Sequence, residues 1–388
     1  MTVDAKATIP VARPWLGEEE AAAARRAILS GWVTQGPEVA AFEREFAAAV
    51  GAPHACAVSS GTTALHLALL AVGVGDGDEV ITVSHSFIAT ANAVRYCGAV
   101  PVFIDVDAAT FNMDPALIEP AISPRTRAIL CVHQLGMPCN LSAILDIGGR
   151  HGLPVIEDAA CAIGSELLWG GAWEPIGRPR GVVACFSFHP RKLVSTGDGG
   201  MLTTSDSALD EQFRLLRQHG MSVPDTVRHV SPRVIAERYP VVGFNYRMTD
   251  IQAAVGREQL KRLPLMLARR RERAARYDER LRAIRGVVPP AQPSWARSNW
   301  QSYAVRLDGG LDQRTVMQSM LDAGISTRRG IMNAHQEEAY RTAPCRIAGT
   351  LACSERAHDR AIILPLYHQM TDQDQDRVLD ALRSACGS

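Results

Sequence analysis

A single lysine stands where an amine can be put to chemical use. Residues 185–200 read CFSFHPRKLVSTGDGG, and the apolar run 182–186 that leads into them has the pattern of a buried strand. Pro190 lies two residues before Lys192, and Gly197, Gly199 and Gly200 follow it, so the lysine falls in a stretch that is not helical. An amine held between a core strand and a glycine-rich turn is partly removed from water and available for Schiff-base chemistry. The ordinary alternative is a solvated loop lysine, since lysine is seldom buried. Three other segments bear on the choice.

The stretch SSGTTALHLALL at 59–70 opens a helix with small and hydroxyl residues. Free backbone N–H groups and a positive dipole end suit a phosphate there, although any capped helix begins in this way. The run 153–158, LPVIED, reads as a strand ending in acid, which puts Asp158 at the edge where parallel sheets bind ligands. After the strand-like run 80–83, the sequence SHSF offers Phe87 at a second strand end. Phosphate cup, aromatic, terminal acid and lysine, in that order along the chain, are the parts that pyridoxal 5'-phosphate requires.

The segments GTTALHLALL, GDEVITVSHSFIATANAV, PVFIDVD, EDAACAIGSE, CFSFHPRKLVSTGDGGMLTT and GFNYRMTDIQAAVG together resemble the DegT/StrS group of nucleotide-sugar aminotransferases. The likeness runs from about residue 9 to residue 277, returns more loosely toward the C-terminus, and is perosamine-synthase-like in pattern. It implies the fold-type-I architecture of pyridoxal-phosphate-dependent transferases and transfer of an amino group from an amino acid, expected to be L-glutamate, to a nucleotide-linked 4-keto-6-deoxy sugar. A keto-cyclitol or another keto position is the alternative within enzymes, and a non-catalytic sensor on the same fold the alternative outside them.

The resemblance also implies roles. Lys192 is the expected Schiff-base lysine and proton shuttle; a lysine there, where the group's sugar dehydratases carry histidine, points to transamination. Asp158 is expected to pair with the pyridine nitrogen, and Phe87 to stack on the ring or else to pack in the core. Gly61, Thr62, Thr63 and Ser187 are expected at the phosphate, with Asn245 of the GFNYR motif reaching the phosphate of a neighbouring subunit in a homodimer with shared sites. Cys161 departs from the pattern, since many members place Gln there to touch the ring hydroxyl; a thiol could still pack under the ring. On the substrate side stand Trp32, Arg247, Arg329 (with Arg328 before it) and His335. Their plainer readings are a packed loop tryptophan, an interface ion pair, arginines on an exposed turn and a structurally satisfied histidine. His189 reads as structural.

These residues need elements to position them. Seven strand candidates, at 55–58, 80–83, 100–105, 128–132, 154–157, 182–186 and 200–204, alternate with helical stretches at 62–72, 88–97, 114–121 and 141–151. Most of the strands are near-continuous apolar runs, as in a sheet buried on both faces. The succession predicts an α/β fold with a mostly parallel seven-stranded sheet, and the resemblance adds that the strand after Gly200 runs antiparallel. Residues 1–16 read as an irregular arm. The span 17–285 reads as the large cofactor-binding domain, with 205–285 largely helical and a long helix starting near Asp250 that could kink at Pro264. Residues 286–388 read as a smaller C-terminal α/β domain. The basic run 269–273, interleaved with Glu272, reads as a solvated helix face rather than a nucleic-acid patch.

Composition narrows the class. The chain has 388 residues, 47% of them hydrophobic, enough for a large core. Lys+Arg and Asp+Glu both number 41, so no global field favours nucleic acid or an anionic membrane. Nine scattered cysteines without a CxxC pair suggest reduced thiols and no metal site. The opening MTVDAKATIPVARPW lacks the apolar stretch of a signal peptide, and no apolar run approaches the roughly 20 residues that span a bilayer. The expectation is a cytoplasmic enzyme.

Overall fold

The computed structural model describes residues 8–223, 227–228 and 231–387. Strand β1 (His54–Val58) is followed by β2 (Glu79–Val83), β3 (Val100–Ile104), β4 (Thr126–Val132), β5 (Val155–Asp158), a hairpin of β6 (Glu166–Trp169) and β7 (Ala172–Pro175), then β8 (Val183–Ser187) and β9 (Gly200–Thr204). The C-terminal part adds β10 (Val287–Val288), β11 (Ala296–Arg297), β12 (Tyr303–Leu307), β13 (Arg328–Arg329), β14 (Arg346–Ile347) and β15 (Ala361–Leu364). All seven expected strands lie in one sheet, ordered β1-β9-β8-β5-β4-β2-β3-β14. It is parallel except at β9, which pairs antiparallel with both β1 and β8. The count of seven is corrected to eight: β14 adds to β3, and Arg346 holds it in place by donating to the Glu79 carboxylate at 2.8 Å and the Ala121 carbonyl at 2.6 Å. Two residues are too few to leave a periodic signal in the sequence.

The sheet is buried on both faces, which is why its strands read as unbroken apolar runs. On one side Phe42, Phe46, Phe186 and Phe188 pack with Ile81, Ile104 and Ile129; on the other lie Leu67, Leu69, Val80, Leu130, Ile156 and Phe213. The helices that cover it are α1 (Glu18–Leu29), α2 (Pro37–Val50), α3 (Gly61–Ala71), α4 (Ala89–Tyr96), the single turn α5 (Ile118–Ala121), α6 (Leu141–His151) and α7 (Ser207–Leu216). Helix α8 (Asp250–Leu281) runs unbroken through Pro264. Its first half packs Ala253, Leu260 and Leu263 into the large core, and its second half packs Tyr277 and Leu281 against Tyr303, Val305 and Val378 in a further core. That core lies against a four-stranded sheet, β10-β12-β15-β13.

Two expectations change here. Residues 231–241 follow an irregular path rather than a helix, punctuated by Pro232 and Pro240. The basic run of α8 is not a solvated face. Arg270 is 1% exposed and donates to the carbonyls of Trp300 (2.7 Å) and Gln301 (3.2 Å). Arg271 bonds the Gly164 carbonyl and Glu166, Arg273 pairs with Asp372, and Arg269 lies over the Trp15 ring. The run is a docking seam between the two cores. Among the described residues no helix is long and apolar enough to cross a membrane.

Candidate active site

The C-terminal ends of β2, β5 and β8 open toward one side, where they meet the N-terminus of α3 and the edge of the second sheet. A cavity of about 360 Å³ lies there. It brings together eight of the expected residues: Gly61, Thr62, Phe87, Asp158, Cys161, Ser187, Lys192 and Arg329.

Asp158 ends β5 at 6% exposure. Burial pushes its pKa up; the Thr90 hydroxyl, the Ala160 amide and the nearby Lys192 charge oppose that rise. Thr90 Oγ1 donates to Oδ2 at 2.8 Å and the Ala160 N–H donates to Oδ1 at 3.1 Å. The next turn carries Cys161 and is fixed to β8 by the Ala159 N–H, which donates to the Cys185 carbonyl at 2.8 Å. Strand β8 then delivers Ser187, and an irregular loop follows in which the Lys192 N–H closes a turn on the His189 carbonyl at 2.8 Å. The lysine Nζ reaches back across the cavity floor to within 2.9 Å of Cys161 Sγ. Two adjacent strands thus set the acid, the thiol and the amine together.

The wall opposite is the start of α3. Ser60 caps the helix, accepting the Thr63 N–H at 3.1 Å. The amides of Gly61 and Thr62 find no acceptor among the described residues and face the cavity with the dipole's positive end. A Cβ on Gly61 would sit 2.7 Å from Ser187 Cβ, so only glycine lets the helix start approach that hydroxyl. Phe87 leaves its ring 60% exposed at the rim. Two bare amides and a hydroxyl make a cradle for a phosphate-sized anion; an exposed aromatic face and a buried carboxylate suit a flat, basic heteroaromatic ring.

The remaining expectations fall outside the cavity lining. Thr63 spends its hydroxyl on the capping box, 3.1 Å from the Ser60 N–H and 2.8 Å from the Ser60 carbonyl. Trp32 donates its indole N–H to Gln35 and packs on Gly36 of its own loop. His335 is tied down, with Nδ1 2.7 Å from Ser84 Oγ and Nε2 3.3 Å from Glu355. Asn245 is exposed, and Arg247 makes no ion pair or hydrogen bond among the described residues. His189, read as structural, does line the cavity, and burial lowers its pKa. Thr90, His133, Gln134 and Gln301 also line it and were not picked out from the sequence. The hydroxyl of Thr90 near the start of α4 was the one local clue.

A family model described as DegT/DnrJ/EryC1/StrS aminotransferase family matches residues 14–383. Among solved structures the chain is similar to the aminotransferase TlmJ from Streptoalloteichus hindustanus, with 35% identity over 98% of this chain and 99% of that one and a TM-score of 0.88. DesV from S. venezuelae is 33% identical over 99% and 100% of the two chains, with a TM-score of 0.88. DesI, whose structure was solved in the presence of its TDP-sugar product, is 32% identical over 98% and 93%, with a TM-score of 0.86.

Proposed function

Since the chain belongs to the DegT/DnrJ/EryC1/StrS family of pyridoxal-phosphate-dependent sugar aminotransferases, we propose that it moves an amino group from L-glutamate to a nucleotide-linked 4-keto-6-deoxy sugar. The observation that carries this reading is the convergence of Lys192, Asp158 and the Gly61–Ser187 cradle on one cavity. When bound, pyridoxal phosphate supplies a carbonyl that can hold the migrating amine and a sink for the electrons released at the donor's α-carbon.

The chain's own residues supply the rest. The Gly61 and Thr62 amides with the Ser187 hydroxyl hold the phosphate, and Phe87 covers one face of the ring. Asp158 holds a proton at the ring nitrogen, as a carboxylate fixed by Thr90 and Ala160 can do without reorganising. Lys192 would anchor the cofactor, then take the proton from the donor's α-carbon and return it to the carbon on the far side of the migrating nitrogen. Arg328 and Arg329 lie on the facing wall, where guanidinium groups suit the diphosphate of a nucleotide-linked sugar.

The same reading includes a homodimer with shared sites. Tyr239, Val241 and Val242 are exposed apolar side chains beside Asn245 and Arg247, a surface suited to a second copy. Mixing inactive Lys192→Ala and Asn245→Asp chains tests it; hybrids that regain activity support shared sites, and none despite demonstrated exchange counts against them.

The whole reading is tested by following the cofactor's absorbance. Glutamate should shift the band, and once the 2-oxoglutarate formed has been removed, a nucleotide-linked keto sugar should shift it back. A response to a keto-cyclitol alone would replace the acceptor, and no response to any amino donor would remove the activity.

A further inference from the structure

The loop that carries Lys192 is irregular, yet the lysine is held to one position. The cause lies more than a hundred residues away, at Asn299-Trp300-Gln301, where the chain enters β12. Gln301 is 7% exposed and uses both ends of its side-chain amide on the backbone that flanks the lysine. Its Oε1 accepts the Leu193 N–H at 3.0 Å, and its Nε2 donates to the Arg191 carbonyl at 2.5 Å. Asn299, 0% exposed, does the same for the thiol's turn, donating Nδ2 to the carbonyls of Cys161 and Ile163 at 2.8 Å each.

The two amides are locked to each other. The Gln301 N–H donates to Asn299 Oδ1 at 2.8 Å, and Trp300 between them adopts φ +53, a left-handed conformation unusual for a bulky residue. Such a conformation persists where its surroundings over-determine it. Here they do: Arg270 grips the Trp300 and Gln301 carbonyls from α8, and the Asn299 N–H donates to Ser165 Oγ at 3.0 Å.

Resting on the reading of Lys192 as the cofactor lysine, we infer that Gln301 is its positioning residue, with Asn299 as the matching hold on Cys161. The pair is a clamp that fixes the loop of the amine against the turn of the thiol and so sets the 2.9 Å Nζ–Sγ contact. A misplacement of about 1 Å in a reacting group costs on the order of 10²-fold in rate. The clamp acts on the backbone at either side of Lys192, where a small change in direction is magnified along four methylenes. Removing it should therefore lower kcat while leaving the donor's KM nearly unchanged.

The contact can be read without cofactor. Ortho-phthalaldehyde joins a primary amine and a thiol in contact into one fluorescent isoindole, and the chain has only three lysines, Lys6, Lys192 and Lys261. In the cofactor-free wild type the label should link Lys192 to Cys161. In Gln301→Leu the linking rate and kcat should each fall about 10²-fold with the melting transition retained. Should that variant not fold, Gln301→Glu decides. Its protonated carboxyl can donate and accept as the amide does, whereas its carboxylate cannot donate to the Arg191 carbonyl; its linking rate relative to wild type should rise as pH falls. A folded Gln301→Leu that links and turns over like the wild type, a Gln301→Glu without that pH trend, or a wild type without the link would each overturn the inference. Borohydride reduction of the loaded wild type separates the two claims. Label on another lysine removes the proposed role of Lys192 while the clamp is still measured by the link; label on Lys192 with a link indifferent to Gln301 removes the clamp alone.

Discussion

The cavity has two walls that hold their polar groups in opposite ways. On the large-sheet wall every reactive side chain is buried or half-buried and bonded: Asp158 by Thr90 and Ala160, the Lys192 loop by Gln301, the Cys161 turn by Asn299. On the facing wall β13 sets Arg328 and Arg329 in the open, and among the described residues the Arg329 guanidinium has only a 3.5 Å ion pair with Glu337. An exposed pair of that kind contributes little to stability. A wall that stabilises developing charge gains from groups fixed in advance. A wall that only has to recognise a flexible diphosphate can order its cations when the ligand arrives. The difference predicts that substitutions on the first wall strike the chemical step and those on the second strike affinity.

The largest effect should come from Lys192. Lys192→Ala removes the proton carrier, and both half-reactions should fall by about 10⁴-fold or more while the phosphate cradle still binds cofactor. Single-turnover spectra with glutamate and with acceptor check this; appreciable turnover in either direction would show that the amine is not the proton carrier. Asp158→Asn comes next. An amide oxygen can still accept the Ala160 N–H, and its NH2 can donate to the Thr90 hydroxyl instead of accepting from it, so the fold should survive, but the amide carries no charge to hold the ring proton. A loss on the order of 10²- to 10³-fold in kcat is expected for both half-reactions. Near-normal turnover would mean that the buried wall does not act through its charge.

The two walls were also unequally legible in the sequence. Strand ends on the large-sheet wall follow from apolar runs of five or so residues, so Asp158 and Ser187 fall at the rim by counting along the strand. The clamp leaves no such trace. Asn299 and Gln301 stand at the entrance to β12 with no periodic pattern to mark them, and their partners are 108 to 138 residues distant. The Thr63 hydroxyl could equally serve a phosphate or a helix cap from the sequence alone, and only its contacts with Ser60 place it in the cap. The arginines of α8 read as solvated because periodicity does not reveal that a second core docks on that face. His335 went the same way, its fate set by Ser84 at 251 residues' distance.

On the facing wall, Arg329→Ala should lower kcat/KM for the nucleotide-linked acceptor by about 10- to 150-fold, the equivalent of one charge-assisted contact of about 1.5–3 kcal/mol. The glutamate half-reaction should be unchanged. A parallel fall in both would place Arg329 with the fixed wall after all, and no fall in either would leave diphosphate recognition to Arg328 or to another surface.

The smallest effect should come from His335, which borders both walls and belongs to neither. Its N–H donates to Ser84 Oγ at 3.0 Å, its Nδ1 lies 2.7 Å from the same oxygen, and the Ala334 N–H donates to the Ser84 carbonyl at 2.9 Å. Ser84 is fully buried at the end of β2, three residues before Phe87. The histidine therefore stitches the small-sheet segment to the turn that presents the aromatic, and it does so from outside the cavity. His335→Ala keeps the two backbone bonds and loses the imidazole contacts, one of them to the half-exposed Glu355, whose share is small. A cost of about 1 kcal/mol is expected from the Ser84 contact, visible as a modest drop in melting temperature, with acceptor KM within about twofold of wild type. A tenfold or larger rise in acceptor KM at an unchanged melting temperature would return the imidazole to the substrate and redraw the boundary of the facing wall.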